Sequence, residues 1–323
     1  MPVSVEIPKE SRTGSVMEVT LGATEAEGGT RAKTVTVGGE TTLPFLHFEG
    51  EMPHPPVIAM EIQDYYPQDW SPLLKEVWGD VLNDPATWAE KAKGYGADLI
   101  MLKLRGKDGE GNKTTPEEAA QTVKKVLEAT GLPLIVRGPG EAERDNELLV
   151  AVAEAAEGER IAMGLCEEKN YRTIVAAAMA HHHLVISSTP MDVNLSKQMV
   201  ILITDMRFPI DRILVDPTTG ALGYGLEYGY SVMERTRIAA FQGDKMTQLP
   251  MICFTGEECW RQKELKVNED VPAAWGDWLK RSINWEAMTI ITLLYAGADI
   301  VTICHPETVE IVKDVIEKLM EGG

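Results

Sequence analysis

From residue 57 onward one arrangement recurs eight times in this 323-residue chain: a short apolar run rich in β-formers, then a stretch with helical spacing. The runs are VIAMEIQD (57–64), ADLIMLKLRG (97–106), LPLIVRGPG (132–140) and RIAMGLCEE (160–168), followed by HLVISSTP (183–190), RILVDPTTG (212–220), LPMICFTGE (249–257) and ADIVTICHPE (298–307). Such alternation over residues 57–323 matches a (β/α)8 barrel, which typically takes about 250 residues. The nearly continuous apolar character of the runs suits parallel strands covered by helices. A doubly wound open sheet is the runner-up, but no G-x-G-x-x-G turn follows an early strand.

The intervening segments carry helix start signals. TTPEEAAQTVKKVLEAT offers Thr115 as N-cap, Pro116 at the first helical position and two glutamates in the first turn. Its Ala119, Val123, Val126 and Leu127 fall on one face. NDPATWAEKAKGYG opens on Asp-Pro and stops on Gly, and GADLIM (96–101) is echoed by GADIVT (297–302) at the entry to a later strand. Residues 1–56 differ. SVMEVTLG and AKTVTVGG alternate around a Gly-rich turn, so an N-terminal β-hairpin extension is expected before the barrel of residues 57–323. Two Trp-containing insertions, YYPQDWSPLLKEVWGD after the first barrel strand and EECWRQKELKVNEDVPAAWGDW after the seventh, are expected at the C-terminal face of the barrel.

Charge narrows the partners. A formal net charge of −19 opposes a nucleic-acid surface, which needs clustered Lys and Arg, and an anionic membrane surface. No apolar run reaches a membrane-spanning length and the N-terminus carries no signal core, so a cytoplasmic protein is expected. The four cysteines, Cys166, Cys253, Cys259 and Cys304, form no C-x-x-C pair, so buried free thiols are expected rather than an iron–sulfur or zinc site.

Function in such a barrel lies at the C-terminal ends of the strands. That rule decides how the run His181-His182-His183 is read. These residues close a helix and enter the fifth strand, at the opposite end, and adjacent helical residues point about 100° apart. A structural role is expected for them. The polar strand ends form the mouth: Arg137, Gly138 and Gly140 after the third strand, Cys166 and Glu167 after the fourth, Ser187, Ser188 and Thr189 after the fifth, and Asp216, Thr218, Thr219 and Gly220 after the sixth. Thr255, Gly256 and Glu257 follow the seventh and His305 the eighth. Each alone reads as a turn or cap residue; as a ring they describe a broad mouth of small hydroxyls and glycines. The loops after strands seven and eight read acidic rather than phosphate-cradling. The late strands offer no Schiff-base lysine, and Lys103 in the second strand is crowded by Arg105. No catalytic constellation stands out, which suits a barrel that covers a large neutral ligand or docks a partner.

At this point PVSVEIPKESRTGSVMEVTLGATEAEGGTRAKTVTVGGE, VILITDMRFPIDRILVDPTTGALGYGLEYGYSVMERTRIAA and TGEECWRQKE matter. With DPTTGALGYGLEY as its most specific stretch, the whole chain resembles the small subunit of the corrinoid iron–sulfur protein of the acetyl-CoA (Wood–Ljungdahl) pathway. The resemblance implies a heterodimer in which a large subunit carries the [4Fe–4S] cluster and a corrinoid-binding domain. It implies that this barrel's top face helps enclose the corrinoid. The complex would take a methyl group from methyltetrahydrofolate, through a separate methyltransferase, onto cobalt and hand it to acetyl-CoA synthase. Placement at the barrel top then makes Ser187, Ser188, Thr189, Asp216, Thr218, Thr219 and Gly220 the expected corrinoid-facing residues. Two other readings stay open. One is a pterin-dependent methyltransferase on the same fold, gripping the ring through Asp and Asn at strand ends; Asp216 fits that role, while Asn194 falls at the start of a helix. The other is a docking subunit without ligand contacts.

Overall fold

The structure is a computed structural model that describes residues 7–107 and 110–321. The first six residues of the N-terminal extension and the last two of the barrel segment lie outside the described residues.

Eight parallel strands close into a barrel. In chain order they are β3 (Val57–Gln63), β4 (Leu99–Lys103), β5 (Leu134–Arg137), β6 (Ala162–Cys166), β7 (Leu184–Ser188), β8 (Ile213–Asp216), β9 (Met251–Cys253) and β10 (Ala298–Ile303), with β10 pairing back onto β3. This is the expected (β/α)8 barrel, and each strand falls within its apolar run. Between strands run α1 (Pro72–Trp78) and α2 (Pro85–Gly94), then α3 (Pro116–Thr130), α4 (Ala142–Ala155), α5 (Tyr171–Ala180), α6 (Val193–Asp205) and α7 (Leu226–Phe241). The last are α8 (Thr255–Trp260), α9 (Lys263–Lys266), α10 (Trp278–Tyr295) and α11 (Pro306–Met320).

The start signals act as expected. Thr115 accepts from the Glu118 backbone N–H at 3.2 Å while the Glu118 carboxylate accepts from the Thr115 N–H at 2.7 Å. The reciprocal pair satisfies two helix-end donors that would otherwise be bare. Ala119, Val123, Val126 and Leu127 are the buried face of α3. The echoed Gly-Ala-Asp segments share a mechanism. Gly96 and Gly297 take φ of +93° and +102°, a region glycine enters without a Cβ clash. The aspartate two residues on then ties down the neighbouring strand: Asp98 accepts from Ile58 N at 3.0 Å, and Asp299 from Met251 N at 2.6 Å.

The N-terminal hairpin, β1 (Val19–Leu21) and β2 (Val35–Val37), is antiparallel with Val19 opposite Val37. Its Val19, Leu21, Val35 and Val37 join one apolar cluster with the inward side chains Leu99, Ile135, Ala162, Leu184 and Leu214 of the barrel. The hairpin therefore closes the barrel floor, and the opposite end is left as the mouth. The two insertions meet at that mouth, where Ser71 Oγ donates to Leu265 O at 3.4 Å, and Trp78 Nε1 ties the first to the end of β10 by donating to Cys304 O at 3.0 Å.

Candidate functional site at the barrel mouth

Side chains alternate in and out along a strand. On β7, Leu184 and Ile186 belong to the inner cluster and Val185 to the helix-facing one, so Ser188 points into the barrel and Ser187 away from it. The same alternation puts Leu214 and Asp216 of β8 inside. In-register pairing sets Ser188 against Asp216, and the Ser188 hydroxyl donates to Asp216 Oδ2 at 2.9 Å. Thr218 completes the network: its N–H donates to Asp216 Oδ1 at 2.9 Å and its hydroxyl to Thr189 O at 2.7 Å. Thr218 holds φ at +64°, a left-handed conformation unusual for a threonine. Burial pushes the Asp216 carboxyl up to about 6, against the lowering effect of the bonds from Ser188 and Thr218.

Of the seven expected residues, Ser188, Thr189, Asp216 and Thr218 are thus one hydrogen-bonded unit. Ser187 lies behind them, buried, with no partner for its hydroxyl among the described residues. The Thr219 side chain is buried beside the Cys253 thiol. Gly220 faces open space apart from the Met191 methyl 3.8 Å from where its Cβ would stand. Ser188, Thr189 and Thr218 line an open cleft of about 640 Å³ together with Glu167, Leu195 and Met199. Beyond its rim Tyr224 and Tyr228 stand exposed on the loop and first turn of α7.

Sequence reasoning set Arg137 and Glu257 at the mouth one by one, but it missed Glu61 and Gln63 and the charged cluster that all of them form with Lys103. Alternation on β3, β4 and β5 turns Glu61, Gln63, Lys103 and Arg137 inward above Ala59, Met101 and Ile135. Register places Lys103 between Gln63 and Arg137. From α8, Glu257 turns into this layer and binds Lys103 in a short ion pair, Arg137 at 2.7 Å and Arg261 at 2.6 Å. Burial works to raise Glu257, but Arg137 and Lys103 outweigh it and hold the carboxyl below its ordinary value. Glu61 is the reverse case. It is 0% exposed, and burial with the nearby Glu257 charge pushes it up to about 7 despite Lys103 and Arg137. Gln63 relays Arg105 to Glu61, accepting from the guanidinium at 2.9 Å and donating to Glu61 Oε1 at 3.2 Å. The signal was available: these four polar residues sit at every second position of otherwise apolar strand ends.

Several ring residues prove to be structural. Asp145 accepts from Gly140 N at 2.9 Å and packs so close to Gly138 that a Cβ there would stand 2.3 Å from its Oδ1. Thr255 and Gly256 bond to Thr302 of β10. His305 caps α11, its Nδ1 accepting from Glu307 N at 3.2 Å, and stacks on Trp260; burial lowers it to about 4. At the barrel's other end, buried His183 donates through Nε2 to Ala153 O at 2.8 Å and is lowered to about 4, while His181 faces Glu157 at 3.7 Å. The histidine run thus takes the structural role expected of it, and the four cysteines are free and buried. Among the described residues no cluster of three or more His, Cys, Asp or Glu is arranged to hold a metal, and no helix is long and apolar enough to cross a membrane.

The rim hydroxyls suit the amide-fringed edge of a corrinoid, because hydroxyls donate and accept without burying a charge. His305, at the end of the eighth strand, is committed to its cap on α11 and to Trp260.

Comparison with known proteins agrees with this architecture. The dihydropteroate synthase of Xanthomonas albilineans superposes with a TM-score of 0.57 over 87% of this chain and 98% of its own, at 12% identity, which is a likeness of fold. The acetyl-CoA decarbonylase/synthase complex subunit delta of Archaeoglobus fulgidus is 40% identical over 98% of this chain and 70% of its own length. That of Methanopyrus kandleri is 36% identical over 96% and 76%. A family model described as CO dehydrogenase/acetyl-CoA synthase delta subunit matches residues 18–313. As the resemblance to the corrinoid iron–sulfur protein small subunit implied, the chain belongs to the CO dehydrogenase/acetyl-CoA synthase delta subunit family.

Proposed function

We propose that this chain is the small subunit of a heterodimeric corrinoid methyl carrier, and that its barrel mouth covers a corrinoid held by the larger subunit. The corrinoid, when bound, supplies the cobalt that accepts and releases the methyl group. This chain's residues exclude water from it and orient it. The observation that carries the reading is the Ser188–Asp216–Thr218–Thr189 unit opening onto a broad cleft, in a chain of the delta subunit family. Ser188 and Thr218 hydroxyls are held by Asp216 and the Thr189 carbonyl, so their lone pairs face the cleft to accept from amide arms. The methyl would arrive from methyltetrahydrofolate through a separate methyltransferase and leave to acetyl-CoA synthase. The [4Fe–4S] cluster would reside on the larger subunit.

Gel filtration with visible spectroscopy tests this. Corrinoid bands should co-elute with the pair of subunits and not with this chain alone. Corrinoid retained by neither preparation would remove the reading. A second reading, a pterin-dependent methyltransferase, draws on the inward Asp216 carboxyl. Against it, Asn194 sits in the first turn of α6 rather than on a strand end, and the β4 and β5 ends carry Lys103 and Arg137 instead. Tight binding of methyltetrahydrofolate by this chain alone would favour that alternative.

A further inference from the structure

The charged half of the mouth is not explained by covering a neutral ligand. Three cations from three elements, Lys103 of β4, Arg137 of β5 and Arg261 beyond α8, converge on the single carboxylate of Glu257. The chain as a whole is strongly acidic, yet here one carboxylate meets three cations, of which Arg261 also pairs with Glu258 at 2.7 Å. Carboxylates bound this way are gripped by charge-assisted bonds about twice as strong as neutral ones. The grip is asymmetric. Lys103 and Arg137 are rooted in barrel strands, whereas Arg261 lies on the same surface segment as Glu257 and is half exposed, with 55% of its side chain open to solvent.

We propose that this is an exchangeable oxyanion site whose resident anion is Glu257, and that a carboxylate or phosphate group carried by a ligand displaces Glu257 from Lys103 and Arg137. Arg261 then keeps Glu257 paired as both move outward, so displacement leaves no bare charge. An independent observation points the same way. Glu61 is wholly buried beneath the same cations, and its Oε2 has no hydrogen-bond partner among the described residues. A buried carboxyl oxygen without a partner is costly, and a ligand oxyanion on Lys103 and Arg137 that reaches farther in than the Glu257 carboxylate would give its proton an acceptor. The groups facing Glu61 are Glu257, Lys103, Arg137 and Gln63, with Arg261 and Cys304 farther out. The raised Glu61 makes it a donor below about pH 7 and a repelling anion above it. The inference goes beyond the corrinoid reading and does not depend on it, because its readout is anion binding by this chain alone.

Inorganic sulfate, which does not titrate near neutrality, is the probe. Its binding is read as the rise in melting temperature of the full chain at constant ionic strength. Glu257→Gln removes the resident anion and should tighten sulfate about tenfold. Adding Lys103→Met to that variant should abolish the effect. An equal sulfate response in wild type and Glu257→Gln, or one that survives Lys103→Met, overturns the proposal. Should Glu257→Gln not fold, the pH profile decides: wild-type affinity should fall as pH rises through about 7 and Glu61→Gln should flatten the profile. A flat wild-type profile overturns it. Methyl phosphate and acetate then separate the two ligand chemistries, and binding of neither contradicts the site.

Discussion

Ser188 Oγ donates to Asp216 Oδ2 at 2.9 Å from the adjacent strand, inside the barrel and shielded from water. The bond holds the hydroxyl rim in place at the expense of a buried carboxyl.

That expense has a sign. Burial raises Asp216 from 3.8 to about 6, so between those values the folded chain holds a proton that the unfolded chain has lost. Its contribution to stability therefore falls as pH rises across that window and is constant above it. Asp216→Asn removes the titration, and the Ser188 hydroxyl can turn to accept from the new amide. The variant should gain on wild type between pH 4 and 6 by roughly 2 kcal/mol. Urea denaturation of both proteins at pH 4, 5, 6 and 7.5 checks this; a difference independent of pH would contradict it.

His183 gives the opposite slope. Burial lowers it from 6.5 to about 4, so in that window the unfolded chain binds a proton that the folded chain refuses. Its stabilisation is full above 6.5 and is lost as pH falls towards 4. Between pH 7.5 and 5 the loss from this residue should be roughly 2 kcal/mol. His183→Gln keeps a donor for Ala153 O and should remove that part of the acid sensitivity, measured by chemical denaturation at the two pH values.

The hairpin offers a packing test. Leu21 is 0% exposed and sits in the apolar cluster shared by the hairpin and the barrel floor. Leu21→Ala should cost about 3 kcal/mol and leave a single unfolding transition, because hairpin and barrel share that core. A thermal melt in which the barrel unfolds at its unaltered temperature would show the hairpin to be a bystander.

How far such a site can be read from residues alone depends on which periodicity is applied. The eight strands were legible because apolar runs, Pro starts and Gly stops all point to the same alternation. The hydroxyl rim was legible only as a set of strand-end residues. Period two separates Ser188, which faces the interior, from Ser187, which does not. Applied to β3, β4 and β5, the same period would have brought Glu61, Gln63, Lys103 and Arg137 together. Glu257 was legible at the end of the seventh strand, but its inward turn onto Lys103 and Arg137 was beyond any such rule, since it depends on how α8 packs against β10. Gly256 permits that packing: a Cβ there would stand 2.8 Å from Cys304 Sγ.

Coverage of the corrinoid by the mouth, and specifically by the rim of β7 and β8, is open to direct measurement. Hydrogen–deuterium exchange of this chain, free and with the proposed corrinoid-loaded large subunit, is the measurement to make. Exchange should slow in residues 187–190 and 216–225, with the barrel-floor hairpin unchanged. Protection confined to the floor or to the outer helices, with the rim exchanging as in the free chain, would contradict it.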